Sequence, residues 1–420
     1  MYVWKRLKGR LYAAMQNRLV RQTGIYSLMQ IFSLGCGFLS NVFLAKEMGA
    51  ELFGIYSFAV AVMAFVSIFF EFGLFSTAAK ILADTQDRDK ERQWLGAFLL
   101  LFFGIGALMS GFILWVSFFI DDVFTDKIGG VLASVCLVSY AYILPNFMEL
   151  VLKGSNEIYK LSSFNLLQRV LFLLGVAALW IYDGLTPVFV FYVIGISNFL
   201  AFFFVYFSLR PSFVGWVSCI RYCVSYNATY GWALYWGRIA GAAAYNIDKL
   251  LISYFANATV VGFYSLAQSF ATPIATLSNA LSIALFRQLA KAEKIDRVFI
   301  RRNLQAVFCS VSIVLVFGYG VMMLYLPDTY NISFYYLLLM ACAMAFQGAY
   351  GLYNSWLMGH GYTRVMRNIA LRIGIMDVVS NFLLIMWWGG YGACFASVLD
   401  MGYSYYLYKK EYGRVMAHAV

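Results

Sequence analysis

Twelve apolar segments, each long enough to cross a lipid bilayer, follow one another along this 420-residue chain. A crossing helix needs about 20 mostly apolar residues. Backbone groups in hydrocarbon must bond within the protein, so spans of this length predict helices. The predicted fold class is therefore an all-α polytopic membrane protein. The segments form two sets of six: 23–45, 54–79, 94–120, 128–152, 162–181 and 187–209, then 229–254, 262–286, 303–326, 333–358, 365–388 and 390–408.

Composition supports a membrane protein and argues against a soluble domain, a nucleic-acid-binding protein and a metalloprotein. Apolar residues make up 62% of the chain and charged residues 12%, against about 45–50% and about 25% in soluble domains. The net charge is +11, but the basic residues are spread between the apolar segments. This distribution indicates that they set the orientation of the spans in the membrane rather than bind nucleic acid. With two histidines and no Cys-x-x-Cys spacing, neither a metal site nor a cofactor is predicted.

A short motif occurs twice, 208 residues apart. Ala50–Ala59 aligns with Ala258–Ala267, and five of the ten positions are identical. Six spans per half give both halves the same orientation, so we predict two parallel six-helix repeats around a central cavity. The predicted domains are an N-terminal bundle over 1–209, an aromatic, amphipathic interfacial linker over 210–228 and a C-terminal bundle over 229–420.

The basic residues are distributed asymmetrically about this arrangement. Of the 31 lysines and arginines, 27 lie at the ends of spans and in loops on one side. The opposite loops carry Lys46 and Lys127, together with several acidic residues. The positive-inside rule then places both termini in the cytoplasm.

Span seven carries three charged residues, Arg238, Asp248 and Lys249. A charge at the middle of a bilayer costs about 2.5–3.5 kcal/mol on insertion scales, so each is a candidate functional residue. At 100° per residue, Arg238, Tyr245 and Lys249 share one helix face, beside several small residues. Such a cationic stripe can bind phosphate oxygens. Alternatively, the cations pair with acidic residues on neighbouring spans, or Lys249 extends to the bilayer surface.

Acidic residues within the spans are candidates for ion coupling. Asp377 lies near the middle of span eleven, and Asn381 follows one turn later. A buried carboxylate beside an amide could take up a proton or a sodium ion. Glu71, among apolar neighbours in span two, and Asp248 are further candidates. The alternative is a static salt bridge, such as one between Asp377 and Arg238.

Span ten offers a polar face. Gln347 and Asn354 are seven residues apart and share one side of the predicted helix. Hydrogen bonding between helices is one interpretation. Sugar binding along a polar cavity is the other.

The segment Leu44–Ser57, followed by Phe72-Gly73-Leu74, resembles the polysaccharide transport family. This family comprises Wzx-like flippases of lipid-linked oligosaccharides within the multidrug/oligosaccharidyl-lipid/polysaccharide exporter superfamily. The second half supports the resemblance through Asp248–Ile252 and the following Gly262–Ser265.

The resemblance implies a function in the bacterial inner membrane. The expected cargo is an undecaprenyl-pyrophosphate-linked glycan, such as an O-antigen repeat unit, and a polysaccharide polymerase and a chain-length regulator are expected partners. Family cavities are often cationic, and Arg238, Lys249 and Arg372 could serve here. Coupling to an H⁺ or Na⁺ gradient is also implied.

Other functions remain as alternatives. A multidrug exporter, or an exporter of another lipid-linked precursor, would share the fold, but cationic positions favour an anionic cargo over cationic drugs. The short outer loops carry no histidine or nucleophile–base pair, so we do not expect an enzyme. A non-transporting scaffold would leave the charges within the spans with a pairing role alone.

Overall fold

The structure, a computed structural model, describes residues 18–124 and 127–418. The described residues form helices and connecting turns, with no β-strand among them. We number the fourteen α-helices of these ranges in chain order: α1 Arg18–Phe69, α2 Leu74–Asp84, α3 Arg88–Ser117, α4 Ile120–Val123, α5 Gly129–Val135, α6 Tyr140–Gly154, α7 Ile158–Ile181, α8 Pro187–Tyr206, α9 Trp216–Thr229, α10 Gly231–Phe255, α11 Ala258–Leu289, α12 Arg297–Leu324, α13 Asn331–Gly359 and α14 Thr363–His418.

Two of these helices are interrupted by a glycine in the left-handed region of backbone space. Gly49 breaks α1 with φ 73°, and Gly389 breaks α14 with φ 53°. An uninterrupted helix of 52 residues, the length of α1, would be about 80 Å long, whereas the hydrocarbon core is about 30 Å thick. Each of the two helices therefore supplies two spans.

The number of spans agrees with the sequence prediction. Eight stretches of the described residues are long and apolar enough to cross a bilayer. The breaks at Gly49 and Gly389 divide two of them, which gives ten. Helices α10 and α11, with 25 and 32 residues, bring the number in the described chain to twelve. The predicted all-α, polytopic fold class is confirmed.

Helix α9 lies within the segment that the sequence indicates as an amphipathic linker. Its Cys223 and Asn227 are buried, whereas Trp216 and Val224 are exposed. Burial raises the pKa of the Cys223 thiol to about 12, so this group stays protonated at neutral pH. The location of α9 at the bilayer surface remains a prediction.

The described chain forms two compact units, and neither is continuous in sequence. Unit 1 comprises the described parts of Met1–Ser40, Val66–Phe118 and Gly130–Ile239. Unit 2 comprises those of Asn41–Phe65, Phe119–Gly129 and Ala240–Val420. The division of the chain into two repeats at 210–228 remains a prediction, because repeat symmetry and compactness are different properties.

The two copies of the repeated motif pack directly against each other within unit 2. A Cβ atom on Gly54 would lie 2.3 Å from the carbonyl oxygen of Ala258, and one on Gly262 would lie 3.3 Å from that of Ala50. Ala258 is the repeat counterpart of Ala50, and Gly262 is that of Gly54. The contact is thus reciprocal, as in a symmetric interface. Glycine is required at Gly54 because backbone atoms occupy the space of a side chain.

This packing predicts opposite effects for two alanine substitutions in α1. Gly54→Ala should destabilise the protein by about 1–3 kcal/mol, since the added methyl group must displace backbone. Gly35→Ala is the matched control, because no atom lies within 4 Å of its added Cβ. It should be neutral or stabilising by about 0.5–1 kcal/mol. Thermal unfolding in detergent measures both, and equal melting temperatures would contradict the close approach.

Candidate functional site

Two carboxyl groups from the two halves of α14 meet in unit 2. Asp377 lies twelve residues before the break at Gly389 and Asp400 lies eleven residues after it, so the reversal of the chain brings them close together. The two carboxyl groups are close enough to interact electrostatically. Ser380 Oγ lies 3.1 and 3.0 Å from the two carboxylate oxygens of Asp400. Asp400 is 1% exposed, whereas Asp377 is partly buried.

Asn381 completes the surroundings of Asp377. Its Nδ2 donates to Asp377 Oδ1 at 3.0 Å, which confirms that the two side chains share a face of α14. Within the described chain, Asp377 Oδ2 and Asn381 Oδ1 are buried without a hydrogen-bond donor. A buried oxygen atom without a hydrogen-bond donor can accept a proton or coordinate a hard cation.

A third carboxylate belongs to the same neighbourhood. Asp248 of α10 is buried and accepts hydrogen bonds from the hydroxyl of Tyr264 and from the backbone N–H of Lys249, at 2.8 Å. It is close enough to Asp377 for an electrostatic interaction. No three His, Cys, Asp or Glu side chains of the described residues stand close enough to form a metal-ligand set. The arrangement is therefore a carboxyl pair with a third acid further away.

We call Asp248, Asp377, Asn381 and Asp400 the acidic cluster. Two adjacent carboxyl groups in a low-dielectric region cannot both ionise without a large cost, so the pair holds a proton or needs a cation beside it. The ammonium group of Lys249 interacts electrostatically with Asp248, which offsets one negative charge. The second charge of the carboxyl pair still needs a proton or a cation to offset it.

Glu71 occupies a different setting, in unit 1. The sequence places it inside a regular span, but it lies in a break between α1 and α2, where Phe72 and Gly73 have φ values of 49° and 74°. Side chains of α9 and α10 donate hydrogen bonds to two backbone carbonyls at this break. Asn227 Nδ2 donates to Phe72 O at 2.9 Å, and the Tyr235 hydroxyl donates to Phe69 O at 2.6 Å. Glu71 is 2% exposed. The prediction that Glu71 lies within a regular helix is wrong. Its burial is the one that its apolar sequence neighbours indicate.

The remaining candidate residues differ in how far the structure describes and buries their side chains. The side chains of Arg238 and Tyr245 lie outside the described residues, so the cationic stripe is not tested. Lys249 is partly buried, whereas Arg372 is exposed near the charged end of α14. Gln347 and Asn354 are partly buried on α13, and sugar binding by them remains a prediction.

Sequence reasoning missed one member of the acidic cluster, Asp400, and two residues that hydrogen-bond to the cluster's carboxylates, Ser380 and Tyr264. Asp400 is an acidic residue within span twelve, a signal as clear as that of Asp377, but its pairing depends on the chain reversal at Gly389. Ser380 is a common residue with no signal of its own. Tyr264 lies in the second copy of the repeated motif, and nothing in the sequence links it to Asp248.

Comparison with known proteins agrees with this architecture. A family model described as "Polysaccharide biosynthesis protein" matches residues 19–286, which is more than half of the chain. The chain belongs to this family. The match confirms the resemblance drawn from Leu44–Ser57.

Proteins similar to this chain include flippases and transporters. A curated relative, the probable flippase AglR of Haloferax volcanii, is 23% identical over 402 residues, covering 91% of this chain and 81% of the relative. A structure of the lipid II flippase MurJ in an inward closed conformation superposes with a TM-score of 0.71 at 13% identity, covering 91% of this chain and 86% of that one. An inward-facing multidrug resistance transporter of the MATE family gives 0.64 at 12%, covering 95% and 96%. These structures show a shared fold.

The bonds of Ser380 generate a prediction about the acidic cluster. Ser380→Ala removes the hydroxyl that lies beside both oxygens of Asp400, and an unsatisfied buried group costs about 1–3 kcal/mol. We expect a lower melting temperature. Ser310→Ala is the control, because that partly buried hydroxyl donates to the carbonyl of Ala306 one turn earlier in α12. A loss for Ser310→Ala as large as that for Ser380→Ala would contradict the assignment.

Proposed function

We propose that this protein is a flippase that moves an undecaprenyl-pyrophosphate-linked oligosaccharide, an O-antigen unit or a related surface repeat unit, between the leaflets of the bacterial inner membrane. The observation that carries the proposal is the likeness to a probable flippase across 91% of the chain, within a family described by polysaccharide biosynthesis. The likeness to a lipid II flippase supports the same class of cargo. Both termini lie in the cytoplasm in this proposal, following the distribution of basic residues.

The cargo divides into three parts with different chemistry. The pyrophosphate is anionic, and Arg238, Lys249 and Arg372, with Tyr245 beside them, are its proposed contacts. The sugars are polar, and Gln347 and Asn354 are proposed to bind them. The polyprenyl chain stays in the lipid during translocation. The two repeats alternate between cytoplasmic and periplasmic access, as secondary transporters do.

The acidic cluster is the proposed coupling site. A proton or sodium ion enters between Asp377 and Asp400 and is bound by the free oxygens of Asp377 and Asn381. Asp248 contributes negative charge from α10. Because the three carboxylates belong to α10 and to both halves of α14, cation binding favours the conformation in which these segments are packed together. Release of the cation on the other side of the membrane would then drive the return step.

Deletion of the gene in its own host tests the function as a whole. We expect loss of surface polysaccharide and accumulation of lipid-linked repeat units in the cytoplasmic leaflet. Complementation by the wild-type gene should restore the polymer, and Arg238→Ala should fail to restore it at unchanged protein abundance. Intact polymer together with altered drug sensitivity would instead assign a multidrug exporter, the runner-up that the MATE-like fold permits.

The effect of sodium on the stability of the protein tests the proposed coupling site. Sodium at about 100 times its dissociation constant should stabilise the wild-type protein by about 2.7 kcal/mol. Asp377→Asn should remove this response. The control Asp328→Asn, at an exposed position in a 3-10 turn of the same unit, should keep it. The measurement is the melting temperature in sodium against choline chloride. A response of Asp377→Asn equal to that of wild type would reject the site, and a wild-type response to pH but not to sodium would assign a proton.

A further inference from the structure

A groove runs along α12, and none of its lining residues belongs to the acidic cluster. Its volume is about 590 Å³, and the described residues that line it all belong to α12. The opposite side of the helix is packed against protein, with Asn303, Val307 and Ser310 buried. The groove therefore follows the exposed side of a helix whose length and composition suit a membrane span.

The lining changes in character along the helix axis. Arg297 and Arg301 lie one turn apart at the charged end, and Gln305 follows one turn below Arg301. Leu304 and Phe308 then provide an apolar wall, with Phe308 72% exposed. At 1.5 Å per residue, the distance from Arg301 to Phe308 is about 10 Å. This order matches a phospholipid, in which a phosphate is followed by polar ester groups and then by hydrocarbon.

The charge of the groove favours an anionic occupant. Among the described residues, no acidic side chain forms an ion pair with Arg297 or Arg301. Both arginines are exposed, and a guanidinium can donate two parallel hydrogen bonds to a phosphate. Two neighbouring guanidinium groups without a counter-charge repel each other, and a bound phosphate relieves this repulsion.

We propose that this groove binds one anionic phospholipid of the surrounding leaflet. Arg297 and Arg301 bind its phosphate, the Gln305 amide lies at the level of its ester groups, and one acyl chain lies along Leu304 and Phe308. The proposal does not depend on the proposed transport function, because it concerns a resident lipid on the outer face of the protein.

Lipid retention tests the arginine pair. The full-length protein is equilibrated with phosphatidylglycerol and phosphatidylcholine, and bound lipids are counted by native mass spectrometry. We expect Arg297→Gln/Arg301→Gln to weaken retention of phosphatidylglycerol about tenfold. The control is Arg364→Gln/Arg367→Gln, which removes two exposed arginines of α14 and should leave retention unchanged. Equal retention by wild type and the α12 variant would overturn the proposal.

Two exposed thiols locate the bound lipid. Cys309 lines the groove, whereas Cys342 is an exposed thiol on α13. Phosphatidylglycerol should slow alkylation of Cys309 by N-ethylmaleimide severalfold and leave that of Cys342 unchanged, when peptides are quantified by mass spectrometry. The arginine variant should lose this protection. Equal slowing of both thiols would overturn the proposal, as would protection by a polyprenyl phosphate but not by phosphatidylglycerol.

Discussion

Hydrocarbon offers no hydrogen-bond partner to a free backbone group, so every interruption of a spanning helix must be compensated by the protein. At the break between α1 and α2, the carbonyls of Phe69 and Phe72 accept hydrogen bonds from Tyr235 and Asn227. These two side chains flank the start of α10. These contacts attach α9 and α10 to the break between α1 and α2 and hold Glu71 in a buried turn. Loss of regular helix at this point is balanced by contacts between elements distant in sequence.

Glycine has two different roles in and beside the repeated motif. Gly49 supplies a left-handed backbone conformation that ends the first span, whereas Gly54 supplies space for the backbone of Ala258. Only the second role is reciprocal, because Gly262 is close to Ala50 in the same way. Similarity between the two copies is thus explained by a contact in which each copy is the other's partner. A larger side chain on either copy would affect both.

Periodicity and hydropathy predict what is local in this fold. The twelve spans follow from apolar length, and the Asp377–Asn381 contact follows from a spacing of four residues on one helix. The pairing of Asp377 with Asp400 could not be predicted, because it depends on the angle at which Gly389 turns the chain. The break at Glu71 was missed for a similar reason: Phe72 and Gly73 leave the helix because Asn227, more than 150 residues away, bonds the exposed carbonyl.

The acidic cluster is costly as a purely structural feature. Asp248 and Asp400 are buried, and Asp377 is partly buried. With Lys249 as the cation beside Asp248, these three carboxylates leave negative charge without compensation, and an apolar set of the same size would pack at lower cost. A static ion-pair network would place a donor on each carboxylate oxygen, yet within the described chain Asp377 Oδ2 has none. A site that must take up and release a cation needs this incomplete compensation, since a fully satisfied site would hold its charge in one state. The energetic deficit is therefore an argument for exchange at the cluster, and it supports the coupling role proposed for Asp377.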